Sequence, residues 1–194
     1  MMKISLKNVS LNIFLLVSFC LLTAQTSAAD NIETLTANCV ACHGENGIAS
    51  VSEWPSLAGQ KQGYLLAQLK AFKDGSRENM LMTGLLDSMS EQDLANIAEY
   101  YSDLPFEKAA SSSINQAGQN VRANCISCHG MTGQTINDTW PNLAGQNKGY
   151  LLQQLKDFSS NKRHSIIMNV IASELTEQQM KDVAEYYEQV GTVQ

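Results

Sequence analysis

The chain has 194 residues, is 44% hydrophobic and 16% charged, and carries a net charge of −6 with five cysteines. That composition describes a soluble globular body of one or two domains. The balance is acidic and no basic patch interrupts it, so nucleic acid is excluded as a partner.

The first 29 residues stand apart from that body. Lys3 and Lys7 precede an apolar stretch, "IFLLVSFCLLTA", which runs into "QTSAAD". A basic start, a hydrophobic middle and small residues before a cut after Ala29 make a secretory signal peptide. A retained membrane anchor is the alternative, since the uncharged run from Val9 to Ala29 nearly reaches bilayer length. Cys20 leaves with the signal. A lipoprotein reading of Cys20 is poor, because Phe19 is bulky and Leu21 and Leu22 are apolar.

Four cysteines remain, in "NCVACHGENG" at 38–47 and "NCISCHGMTG" at 124–133. Each pair is followed at once by histidine, giving Cys39-x-x-Cys42-His43 and Cys125-x-x-Cys128-His129. This is the attachment sequence of c-type haem. Two thiols one helical turn apart can each add to a haem vinyl group, and the adjoining histidine is then held beneath the iron. A redox Cys-x-x-Cys would need a βαβ context that is absent. A four-cysteine zinc site would leave both histidines unexplained. The reading is therefore two covalently attached haem c groups, with His43 and His129 as proximal iron ligands.

The two motifs belong to a longer repeat with a constant shift of 86 residues. Trp54-Pro55 returns as Trp140-Pro141, Leu57–Gln60 as Leu143–Gln146, and Gly63–Leu66 as Gly149–Leu152. Phe72 and Arg77 return as Phe158 and Arg163, and Ala98–Tyr101 as Ala184–Tyr187, with no insertion anywhere. One helix is predicted over "YLLAQLKAF" and "YLLQQLKDF", with Leu65, Leu66, Leu69, Phe72 and their mates on one face. Another begins at Ser90 with Asp93, or Thr176 with Gln179, each resembling a capping box. It presents Leu94, Ile97, Ala98, Tyr101 and Leu104, matched by Met180, Val183, Ala184, Tyr187 and Val190. No strand pattern competes, so the fold class is all-α. Pro105 stops a helix and Ser111 to Ser113 read as linker. The expected organisation is a signal peptide over 1–29, one haem domain over 30–107 and a second over 108–194.

The repeat also filters the eight methionines for a sixth iron ligand. Met80 maps to Ile166, Met89 to Leu175, Met180 back to Leu94 and Met131 back to Glu45, whereas Met82 maps to Met168. Met82 and Met168 are thus the expected distal ligands. His164, whose mate is Glu78, stands beside Lys162 and Arg163 and is expected to face solvent. Iron held by His and Met has both axial positions filled, which suits outer-sphere electron transfer and raises the potential.

With both haem motifs, "WPxLAGQ", "YLLxQL" and the methionine-bearing stretch in view, the chain resembles the dihaem cytochrome c4 family over nearly its whole length. The resemblance implies two class I cytochrome c domains related by a pseudo-twofold axis, with haem edges facing across the interface. It implies a periplasmic electron carrier of a respiratory chain that donates to a terminal oxidase, often with loose peripheral membrane association. It also implies that the carbonyls of Pro55 and Pro141 receive the proximal histidines, a contact that fixes ring orientation and raises basicity. One departure is visible: the helix-crossing glycine expected seven residues before the first haem cysteine is present as Gly118, but its mate is Ile32.

Residues 30–109 hold five basic and twelve acidic side chains, net −7, and residues 110–194 hold six and seven, net −1. That asymmetry reads either as solubility alone or as a carrier whose two ends prefer different redox partners. Two other functions stay open. A dihaem enzyme, such as a peroxidase or a sulfur-compound dehydrogenase, would need one exchangeable methionine, and a haem subunit of a larger complex would dock through the acidic half. Nothing in the sequence sets an oligomeric state, and a monomer suffices.

Overall fold

The computed structural model describes residues 27–192, and among them every regular element is helical. The expected leader lies outside the described residues, Cys20 included, except for its last three positions. The described chain falls into two compact units, one ending at Leu35 and the other starting at Thr36. Helix α1 (Ser27–His43) supplies all that is described of the first unit. Both haem motifs belong to the second unit.

In the second unit, the first repeat continues from the haem motif through α2 (Gln62–Lys73) and α3 (Glu91–Asp103). The second repeat comprises α4 (Gln116–Val121), a 3-10 turn (Arg122–Asn124), α5 (Ile126–His129), α6 (Lys148–Ser159), α7 (Ile166–Ser173) and α8 (Glu177–Gln189). The last helix of each repeat starts where the capping boxes predict. Ser90 Oγ accepts from Asp93 N at 3.1 Å while the Asp93 carboxylate accepts from Ser90 N at 2.8 Å. Thr176 and Gln179 make the same exchange at 3.2 and 2.9 Å. Each cap satisfies amide groups that a helix start leaves without partners.

The apolar stripe of α3 is buried at Leu94, Ile97, Ala98 and Tyr101, and that of α8 at Met180, Val183, Ala184 and Tyr187. Both helices stop one residue short of the predicted stripe: Leu104 and Val190 are extended caps, half-buried. Pro105 disfavours helical backbone at Leu104. In the second repeat α4 crosses α8 at Gly118, where a Cβ would fall 2.0 Å from the Asp182 carbonyl oxygen. Only glycine permits that approach.

The repeats are joined by reciprocal polar contacts. Neither α2 nor α6 has a side-chain cap from its own preceding residue, Lys61 or Asn147. Instead Gly63 N donates to Asp138 Oδ2 at 2.9 Å and Tyr64 N to the Asp138 carbonyl at 2.8 Å. In mirror fashion Gly149 N donates to Ser52 Oγ at 3.0 Å and Tyr150 N to the Ser52 carbonyl at 2.8 Å. Each half therefore caps the other half's helix. The Gln60 side chain brackets the Asn142 backbone and the Gln146 side chain brackets that of Ser56.

The connection between repeats is strapped down. Lys108 and Thr192 exchange two hydrogen bonds, Ser111 N donates to the Gln189 carbonyl, and Lys108 Nζ reaches the Gly145 carbonyl at 2.9 Å. Phe106 packs its Cβ on Gly59 and its ring edge on Gly145, touching the same loop of both repeats.

Candidate haem sites

Cys39, Cys42 and His43 close the C-terminal turn of α1, while Cys125 caps α5 and Cys128 and His129 lie within it. Both triplets line a single cavity of about 680 Å³ within the second unit. Met82, Met168, Pro55, Pro141, Trp54 and Trp140 line the same cavity, so every residue expected at a site from the sequence is brought to it. Leu65, Leu69 and Phe72 of α2, with Leu151, Leu155 and Phe158 of α6, supply apolar wall. His164 borders the cavity but is solvent-exposed.

The two histidines are oriented alike. His43 Nδ1 lies 2.8 Å from the Pro55 carbonyl oxygen and His129 Nδ1 lies 2.9 Å from that of Pro141. A carbonyl can only accept, so the ring proton sits on Nδ1 and Nε2 keeps its lone pair. Burial lowers the pKa of both rings, against a smaller opposing effect of the carbonyl bond. Each imidazole is thus held neutral, the form that binds metal. Burial also raises the Cys39 and Cys125 thiols above their ordinary value, with Tyr101 and Tyr187 hydroxyls opposing it.

The methionines arrive by different routes. Met168 lies in α7, whose start is capped by Ser165 Oγ accepting from Met168 N at 3.2 Å. Met82 lies in a run of turns, where Asn79 Oδ1 accepts from Leu81 N and the Asn79 carbonyl from Met82 N and Thr83 N.

A side-chain cluster that sequence reasoning did not assign to the site joins the two halves of the cavity wall. Arg77 donates to Gln68, Gln154 and Tyr150, at 2.8, 2.8 and 3.2 Å. Arg163 donates to Gln154, Gln68 and Tyr64, at 2.8, 2.7 and 2.9 Å. Each guanidinium also stacks on a phenylalanine of its own repeat, Phe72 or Phe158, at 4.4 and 4.6 Å. Burial pushes the Tyr64 hydroxyl up. Burial acts the same way on Tyr150, but Arg77 and Arg163 outweigh it and bring that hydroxyl down to about 8. All six polar residues obey the shift of 86, which was the signal available in the sequence.

The cavity fits a haem on two further counts. Two guanidiniums share neutral acceptors with no carboxylate among their hydrogen-bond partners, as suits a wall facing an anionic group. The Tyr101 and Tyr187 hydroxyls are buried at the cavity with no hydrogen-bond partner, an arrangement that a ligand completes.

An all-helical frame that twice brings Cys-x-x-Cys-His and a methionine to one apolar cavity defines a dihaem c-type cytochrome. The cytochrome c family model matches residues 29–104 and again 116–191. Cytochrome c4 of Pseudomonas aeruginosa is 34% identical over 171 residues, covering 77% of this chain and 82% of that protein. The thiosulfate dehydrogenase electron acceptor of Thiomonas intermedia is 31% identical, covering 77% of each chain. The crystal structure of reduced cytochrome c4 from Pseudomonas stutzeri superposes with a TM-score of 0.77 at 30% identity, covering 84% of this chain and 98% of that one. The chain belongs to the cytochrome c family and, within it, to the dihaem cytochrome c4 group: an electron carrier with two covalently attached haem c groups.

Proposed function

We propose that the chain is an exported carrier that accepts electrons from one redox protein and delivers them to another, a terminal oxidase being the acceptor. Residues 1–29 are the signal peptide, residues 30–107 the first haem domain and residues 108–194 the second. The mature carrier works in the periplasm, with loose peripheral attachment to the membrane. No helix among the described residues is long and apolar enough to cross a bilayer.

Cys39 and Cys42 would hold the first haem and Cys125 and Cys128 the second, with His43 and Met82, and His129 and Met168, as the residues that would ligate the two irons. Bound haem c supplies a one-electron ferric–ferrous couple at each site. The observation that carries the carrier reading is that two repeat-matched pairs, His43 with Met82 and His129 with Met168, line the same cavity. With His43 and Met82 at one iron and His129 and Met168 at the other, no ligand position would be left for a substrate, so the protein's work would be orientation, burial and selection of partners. Pro55 and Pro141 fix the imidazoles through Nδ1. The net −7 of residues 30–109 against −1 of residues 110–194 favours a basic surface at the first half and a different partner at the second.

Similarity to a thiosulfate dehydrogenase electron acceptor supports a second reading for the donor side: electrons arrive from an enzyme oxidising a sulfur compound. Both readings keep the chain a carrier rather than an enzyme.

The decisive experiment is an absorption spectrum of the exported protein, oxidised and reduced, followed by carbon monoxide. The expected result is the weak near-infrared band of methionine-ligated ferric haem c for two haems, with a reduced spectrum that carbon monoxide leaves unchanged. Prompt carbon monoxide binding at one haem would make a dihaem enzyme the better reading.

A further inference from the structure

Tyr101 and Tyr187 are repeat mates, 1% and 3% exposed, and both line the haem cavity. Each ring is fixed on several sides. Tyr101 lies edge-on to Tyr100 at 5.1 Å and Tyr187 edge-on to Tyr186 at 5.2 Å. Gly47 and Gly133 press on the ring edges so closely that a Cβ on either would come within 2.8 Å. The backbone is pinned too: the Tyr101 carbonyl accepts from Gly59 N at 3.0 Å and the Tyr187 carbonyl from Gly145 N at 2.8 Å. The hydroxyls therefore have no freedom to swing out to water.

Both hydroxyls nevertheless lack a hydrogen-bond partner. A buried donor without an acceptor is costly, and phenylalanine would avoid the cost at either position. The same orphan occurs twice, at equivalent places, in a cavity whose wall also carries the first cysteine of each motif, and each hydroxyl and its own cysteine shift one another's acidity: Tyr101 with Cys39 and Tyr187 with Cys125. Burial raises both phenols, so they remain protonated donors through the neutral range. Before attachment the cysteine sulfur carries its own hydrogen and is a weak acceptor. After attachment that hydrogen is gone, and a thioether sulfur can only accept. The second cysteines are treated differently: Cys128 has the Ser127 hydroxyl at 3.7 Å, where the first repeat has Ala41 beside Cys42.

Resting on the haem-attachment reading above, we propose that Tyr101 and Tyr187 each donate a hydrogen bond to the thioether sulfur formed by Cys39 or Cys125, drawing electron density from the attached ring and favouring the reduced iron. They are positioning and tuning residues, one per haem, reached from the last helix of each repeat.

The test uses the full-length exported holoprotein. Resonance Raman spectra of wild type in H₂O and D₂O should show a carbon–sulfur stretching band that shifts on exchange, a measurement that needs no variant. Y101F should remove that sensitivity for one haem and Y187F for the other. Each variant should also move the equilibrium constant for reduction of its own haem about threefold toward the ferric form, or about 28 mV, leaving the other unchanged. A band insensitive to D₂O in wild type, or potentials unmoved in both variants, overturns the proposal. A wild-type protein with fewer than two covalent haems would instead overturn the cofactor reading, so the two failures are told apart by the haem count.

Discussion

The stretch bearing Met82 and the stretch bearing Met168 occupy equivalent places in the repeat yet are built differently. Residues 80–88 are a chain of turns with Gly84 at φ 82°, whereas the second repeat forms helix α7 there. Gly84 falls where α7 has Val170, in a conformation that an L side chain avoids and a helix cannot contain. In α7, Asn169 supports the start of the helix by accepting from Ser165 N and donating to the Phe158 and Arg163 carbonyls. The side chain of its mate Thr83 makes one bond, donating to the Asn79 carbonyl. A methionine can thus be delivered to one cavity by an ordered helix or by turns. What the two halves share is the placement of the sulfur-bearing residue, not the local backbone.

The largest effect expected from testing that difference between halves lies at the helix crossing. Gly118→Val would drive atoms into the Asp182 backbone and Tyr186 Cβ, and should cost about 3 kcal/mol in denaturant unfolding. The first repeat has Ile32 in that place, so a second-half lesion of this size should leave the first haem's spectrum intact when unfolding is followed haem by haem. Next come the exchanged caps. Asp138→Ala should destabilise α2, and Ser52→Ala should destabilise α6, each by about 1 kcal/mol in the same assay. The damage should appear in the half that was not mutated, as faster amide exchange at Gly63 or Gly149. A smaller loss is expected for Gly84→Ala. Nothing lies within 4 Å of its added Cβ, so the cost, about 1 kcal/mol by thermal unfolding, is backbone strain alone.

The smallest contrast is one of acid sensitivity. The Ser90 hydrogen bonds hold the Asp93 carboxyl below its ordinary 3.8, whereas the equivalent residue in the second repeat is Gln179, which does not titrate. A carboxyl with a lowered folded-state pKa lends stability that is fully present above 3.8 and fades as pH falls through the lowered value. As pH falls below 3.8, amide exchange should quicken at the start of α3 while the start of α8 holds. Asp93→Gln should abolish that difference.

Much of this organisation was legible in the sequence because the chain states it twice. The repeat exposed the haem motifs, the paired methionines and both capping boxes, since each rests on local spacing. Gly118 was legible only through the family resemblance, because the repeat places Ile32 at the matching position. The break of the second motif helix at Arg122–Asn124 was not, and neither was α7, because helix against turn at residues 80–88 depends on Gly84 and on side-chain caps rather than on hydrophobic period. The Arg77–Tyr150 and Arg163–Tyr64 bonds join residues about 73 and 99 positions apart, separations over which no sequence period operates. Pairing by 86 marked those residues as matched without saying that each serves the opposite half.

The exchanged caps have a further consequence. Gly63 meets Asp138 as Gly149 meets Ser52, and Arg77 meets Tyr150 as Arg163 meets Tyr64. Position i touching j while the copy of j touches the copy of i is the rule of a twofold homodimer interface. The chain carries such an interface inside one polypeptide, and the segment through Phe106 and Lys108 turns what would be an encounter between two molecules into a contact at fixed effective concentration. Dilution cannot separate the two redox centres, so their partnership persists at any expression level.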